Sequence, residues 1–187
     1  MRLRRKPRFA AVVSLLLAPL ACNGAAKPPD PAALVLKLRS PDATASGEAA
    51  LELIRLGEPA TPALVDLLRD PDPALRALAA RTFWGMGARA GSEAVGPLAE
   101  ALADPDVSVR VSAAMALDNM GPAAAAAVPA LVKALRDHDP KVRPWAARAL
   151  GSIGPAAEAA VPALQKAGRL DGVQGPAEEA IRKIRTR

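Results

Sequence analysis

The chain has 187 residues, enough for one domain, and is 51% hydrophobic but only 2% aromatic, with no Tyr, two Phe and two Trp. Its apolar content is mainly Ala, Leu and Val, residues that suit closely spaced helices. The net charge of +6 is misleading, because five bases and no acids lie in residues 1–21, leaving 20 Lys+Arg against 19 Asp+Glu in the rest. A balance of +1 gives the folding part no basic field for nucleic acid, and a nucleic-acid partner is not expected.

Residues 1–21 read as a secretory signal. Arg2, Arg4, Arg5, Lys6 and Arg8 precede the 12-residue apolar run from Phe9 to Leu20, too short for a comfortable membrane span of about 20 residues. The only cysteine, Cys22, follows at once in Leu17-Ala18-Pro19-Leu20-Ala21-Cys22. This arrangement resembles a bacterial lipoprotein signal, which implies lipidation of Cys22 and an anchor on the periplasmic side of the cell envelope. Pro19 departs from that pattern, where an aliphatic residue is usual. The alternative is cleavage after Gly24-Ala25-Ala26, giving a soluble periplasmic or secreted protein. Residues 22–30 form a Pro- and Gly-containing tether.

The remainder, 31–187, reads as all-helical. Asp30-Pro31 marks a capped helix start, and short helices are expected over Ala32 to Arg39 and Ser46 to Leu56, the latter carrying Ala50, Leu51, Leu53 and Ile54 and ending at Gly57. From Pro59 the pattern repeats. Pro62-Ala63-Leu64, Pro97-Leu98, Pro129-Ala130-Leu131 and Pro162-Ala163-Leu164 open each unit. Turns with paired aspartates follow, at Asp70/Asp72, Asp104/Asp106 and Asp137/Asp139; the second of each pair suits the N-cap of the next helix. Those second helices present Ala80/Ala114/Ala147, Phe83/Leu117/Leu150 and Met86/Met120/Ile153 to a core, and Gly87, Gly121 and Gly154 end them. Pro144 conflicts with an early helix start in the third such turn, so that helix either begins later or bends. The last unit loses its aspartate turn to Gly168-Arg169-Leu170-Asp171-Gly172, and its basic end, Arg182 to Arg187, suits a solvated helix C-terminus.

Asp106 and Asp139, Arg110 and Arg143, Leu117 and Leu150, and Gly121 and Gly154 are each 33 residues apart. A fixed period of that kind is the signature of a solenoid. The unit, Asp-x-Asp-x-x-Val-Arg-x-x-Ala-Ala-x-Ala-Leu-x-x-Ile/Met-Gly-Pro, resembles the short HEAT repeat, the variety also found in phycobilisome lyases. The resemblance implies a right-handed, armadillo-like α-solenoid of about five two-helix repeats, with approximate units 31–57, 58–90, 91–121, 122–154 and 155–187. It also implies that Arg76, Arg110 and Arg143 pair with turn aspartates of adjacent repeats, and that second helices line a concave face.

No catalytic set is visible. There is one histidine, His138, with no His-Glu pair for a metal, and no Gly-rich phosphate loop after a strand. No catalytic, cofactor or metal residue is therefore expected. The residues that differ between repeats are more informative. Three columns of the second helices are expected to be exposed: Leu78/Ser112/Trp145, Arg81/Met115/Arg148 and Trp84/Asp118/Gly151. They contain both tryptophans and two arginines, types enriched at binding hot spots. Arg81, Trp84, Met115, Trp145 and Arg148 are thus the candidate protein-binding residues, and the expected function is a non-catalytic scaffold or adaptor. The alternative is a lyase-like enzyme, or a small-ligand-binding protein using the same groove.

Overall fold

The structure, a computed structural model, describes residues 28–186, so the signal segment, Cys22 and most of the tether lie outside the described residues. Ten α-helices form five successive pairs: α1 (Pro31–Leu38) and α2 (Ala43–Leu56), α3 (Thr61–Leu67) and α4 (Pro73–Met86), α5 (Val95–Ala101) and α6 (Val107–Met120), α7 (Val128–Ala134) and α8 (Val142–Ile153), α9 (Val161–Ala167) and α10 (Gln174–Arg185). No strand occurs among the described residues. The apolar stretch Val107–Ala134 has the length and composition of a membrane span, but Gly121 at φ +57° divides it into α6 and α7, which pack in the core.

Local signals account for the ends of each helix. Asp30, Asp42, Asp72 and Asp106 accept backbone N–H bonds at the N-termini of α1, α2, α4 and α6. Helix α2 starts earlier than the spacing from its apolar residues suggested, because Ser40-Pro41-Asp42 is a shifted version of the aspartate turn. Helix α8 starts later than its counterparts: Asp139 accepts the N–H of Lys141 at 2.9 Å, and the helix proper opens at Val142. Pro144 then lies in the first turn, where its missing N–H removes no intrahelical bond. Gly57, Gly87, Gly121 and Gly154 close the second helices at φ between +55° and +75° with ψ near −137°. The positive φ is as expected, but this ψ lies outside the left-handed helical region; it belongs to the territory that only glycine enters freely.

Consecutive second helices α4, α6, α8 and α10 pack directly on one another, whereas consecutive first helices barely touch. The second helices therefore take the shorter, inner arc of the array. Ala80, Ala114 and Ala147 are fully buried beside Phe83, Leu117 and Leu150. The small residues allow close approach, and each large one removes its whole side chain from water, worth about 1.5–3 kcal/mol.

The arginines form a ladder along one edge. Arg76 Nε and Nη2 donate to the two carboxylate oxygens of Asp104 at 2.7 and 2.8 Å, while its Nη1 donates to the carbonyls of Asp70 and Pro71 in its own turn. Arg110 repeats the arrangement, with Asp137 at 2.8 and 3.0 Å and the carbonyls of Asp104 and Pro105. The two aspartates of each turn thus divide the work: the second caps a helix and the first receives the arginine of the preceding unit. At the N-terminal end Ser46 occupies the ladder position, its hydroxyl donating to the Leu38 carbonyl, and Asp70 is paired instead with Arg39 from the end of α1. Arg143 does not make the expected inter-repeat pair, because Leu170 stands where the next acid would be.

Burial pushes the Asp104 and Asp137 carboxyls up, but the guanidinium hydrogen bonds, the N–H groups of Asp106 and Asp139 and the nearby positive charges outweigh it and hold both below the ordinary 3.8. A depressed folded-state value stabilises the fold above the unfolded-state value and stops doing so as pH falls through the folded one. Denaturant unfolding should therefore show stability that is level down to about pH 5 and declines below about pH 4. In Asp104→Asn and Asp137→Asn proteins that acid decline should be shallower; an unchanged decline would contradict the assignment.

Candidate functional site

The inner layer exposes only a narrow strip, because each middle second helix touches its own first helix and both neighbouring second helices. This corrects the expectation that all three variable columns are exposed. Ser112 is buried. So is Gly151, where a Cβ would come within 2.8 Å of the Ala180 backbone, so that α8 and α10 meet at a position only glycine fits unaided. Leu78 and Trp145 are half-buried, Trp145 with part of its side chain against the core.

What remains exposed runs across the array as a stripe. Arg81 and Trp84 lie on α4, Met115 on α6, and Trp145 and Arg148 on α8. Arg81, Trp84 and Arg148 are exposed and Met115 is half-buried. Alignment on the terminal glycines adds Leu51 of α2, which stands six residues before Gly57 as Arg81 stands six before Gly87. Leu51, one of the apolar residues of its helix, is 59% exposed. Its sequence signal was this register to the glycine, which outranks simple apolar spacing in an irregular first unit.

At the α6–α8 junction the stripe is organised. The Arg148 guanidinium lies 4.8 Å from the Trp145 ring centroid, an attraction worth about 0.5–1 kcal/mol at an exposed site. Its Nε lies 3.5 Å from Asp118 Oδ2, and Asp118 Oδ1 accepts a hydrogen bond from Ser152 at 2.6 Å. Asp118 and Ser152 thus orient an arginine–aromatic pair whose charged end stays in water. On the α4 side, Asn119 donates to the Trp84 carbonyl at 2.6 Å and ties the end of α4 to α6. Asp118 appeared in the sequence only as a member of a variable column; Ser152 and Asn119 gave no signal, since their partners lie a whole repeat away. Trp84 and Trp145 are not brought together, because α6 separates their helices.

His138 is exposed, with Nε2 3.1 Å from Arg110 Nη2 and Nδ1 3.5 Å from Asp137 Oδ1, at the rim of a ladder rung rather than in a cleft. Among the described residues no group of His, Cys, Asp and Glu could hold a metal ion. Of the basic residues at the end of α10, Arg182 and Lys183 pair with Glu179. The grooves near Leu34, near Leu68 and near Ala167 are lined by residues outside the stripe.

The family model for HEAT repeats matches residues 95–182. Among solved structures, an engineered protein is 30% identical over 82% of this chain and 78% of its own, with a TM-score of 0.58. A structure of the complex of CpcE and CpcF of phycocyanin lyase from Nostoc is 23% identical over 81% of this chain and 97% of the matched chain, with a TM-score of 0.68. A computationally designed armadillo repeat protein for modular peptide recognition is 22% identical over 81% of both chains, with a TM-score of 0.59. No curated protein sequence matches the chain.

Proposed function

The chain belongs to the HEAT-repeat family, and from that premise we propose that it is a non-catalytic protein-binding scaffold or adaptor that works through its concave second-helix face. The observation that carries this reading is the stripe from Leu51 to Arg148, in which exposed Leu51, Arg81, Trp84 and Arg148 are joined by half-buried Met115 and Trp145 across four repeats. Trp and Arg anchors of this kind contribute disproportionately at protein interfaces. The designed armadillo protein made for peptide recognition lends support as a likeness of fold. So does the lyase complex, and at 23% identity it carries no reaction to this chain. A lyase-like or small-ligand reading needs convergent polar groups in a closed apolar pocket; the Trp145–Arg148–Asp118 cluster lies instead on an open face.

The proposal includes export and a lipid anchor at Cys22, which would hold the solenoid at a membrane surface through the tether of residues 22–30. Mass spectrometry of the protein from native membranes tests the anchor: a diacylated N-terminal Cys22 is expected, and an unmodified start at Lys27 would rule it out. A photo-crosslinking residue at position 148 tests the face. It should trap a discrete partner band that the same residue at position 133, on the outer layer, does not.

A further inference from the structure

We propose that the groove at the C-terminal end of the arginine ladder binds carboxylates of an acidic peptide segment of a partner protein. The inference is independent of the second-helix stripe and comes from comparing one groove with its own repeat. Between the second and third units, a groove is lined by Arg69, Glu100, Ala101 and Asp104. One repeat pair further on, between the fourth and fifth units, the corresponding lining residues are Arg136, Lys166, Ala167 and Leu170, now with Arg143 and Arg169 beside them, around a groove of about 510 Å³. Glu100 has become Lys166 and Asp104 has become Leu170. A groove that carried its own acids has turned into one lined by four cations.

None of those four cations has a carboxylate partner among the described residues. Arg143 shows the consequence in its hydrogen bonds. In Arg76 and Arg110 the Nε–Nη2 edge grips an aspartate and Nη1 faces the carbonyls of the arginine's own turn. In Arg143 the gripping edge has turned inward, with Nε on the Asp137 carbonyl at 2.6 Å and Nη2 on the His138 carbonyl at 3.3 Å. The other end of the ladder shows that the acid serves the preceding arginine. Among the described residues no repeat precedes the first turn, and there Ser40 replaces the aspartate and keeps only its bond to the N–H two residues on. At the C-terminal end the arginine persists while its acid is lost, and exposed Arg136, Lys166 and Arg169 surround it. Those two carbonyls fix the plane of the Arg143 guanidinium and leave Nη1 without a partner among the described residues, and a guanidinium held in place selects a carboxylate in fixed geometry, where scattered lysines would select charge alone. Leu170, 38% exposed, supplies an apolar contact for the stem of an Asp or Glu side chain.

The test uses the full-length chain in a nonionic detergent, with a fluorescein-labelled hexa-aspartate peptide, its hexa-asparagine counterpart and inorganic phosphate as probes. The aspartate peptide should bind and the asparagine peptide should not. The double substitution K166E/L170D restores the pattern of the earlier groove; it should weaken binding at least about tenfold, the loss of one charge-assisted contact, while the thermal midpoint holds or rises. R136A/R169A, which alters exposed side chains only, should weaken binding as well, and K133E, an equal charge change outside the groove, should weaken it far less. Equal binding of the two peptides would overturn the proposal. So would undiminished binding by K166E/L170D or R136A/R169A, or phosphate binding by the unaltered chain without peptide binding.

Discussion

Replacing Arg110 with Ala is expected to lower the unfolding free energy by about 3–5 kcal/mol, a large share of the roughly 5–15 kcal/mol that holds a domain together. Its loss strands a buried charge. Arg110 is 4% exposed and Asp137 7% exposed at the side chain, and the arginine also satisfies the carbonyls of Asp104 and Pro105. Its removal leaves a buried carboxylate held by the Asp139 N–H, with His138 beside it at the surface. Asp137→Asn should cost less, because an amide can still accept from the Asp139 N–H. A double-mutant cycle between the two positions should give a coupling of about 0.5–3 kcal/mol; zero coupling in urea unfolding would show that the ladder is ornamental.

Phe83→Ala should cost about 3–5 kcal/mol, from lost transfer energy and the cavity left behind. Phe83 is fully buried, and the positions matching it one and two repeats on are Leu117 and Leu150. Because a solenoid's stability sums over units and their interfaces, the loss should be local. Hydrogen exchange should accelerate in α2, α4 and α6 while α8 and α10 keep their protection. A uniform rise along the array would mean that the chain unfolds as one cooperative block.

The 33-residue period made the helix pairs, the caps and the terminal glycines legible, since each depends on contacts within one unit. What crosses from unit to unit was harder to see. Arg-to-Asp pairing was implied by the repeat, but not which aspartate of each turn received the arginine, because both lie in the same short turn. That Arg143 lacks its pair follows from Leu170, a substitution in the one turn whose pattern had decayed. Ser112 and Gly151 looked exposed by helical spacing, yet second helices are covered on both flanks, so a small residue in a flanking column is already inside, where Trp84 and Trp145 in the same columns still reach the surface. Leu51 lies in the first unit, which among the described residues has a neighbouring unit on one side only, and there an apolar residue faces water. The named stripe residues are those where repeats differ, and Asp118 and Ser152, which orient Arg148, became visible only when α6 and α8 were placed side by side.

Residues repeated in every unit build the array, and we propose that those that vary along its inner stripe recognise a partner. Quantitative capture from native membranes with the unaltered chain, Trp145→Ala/Arg148→Ala and Lys133→Ala tests it most directly, with circular dichroism and thermal midpoints measured in parallel. The double substitution should lose the captured partner at least about tenfold, as hot-spot truncation does, with helicity kept and Lys133→Ala unchanged. Equal capture by all three proteins, with the fold intact, would contradict it.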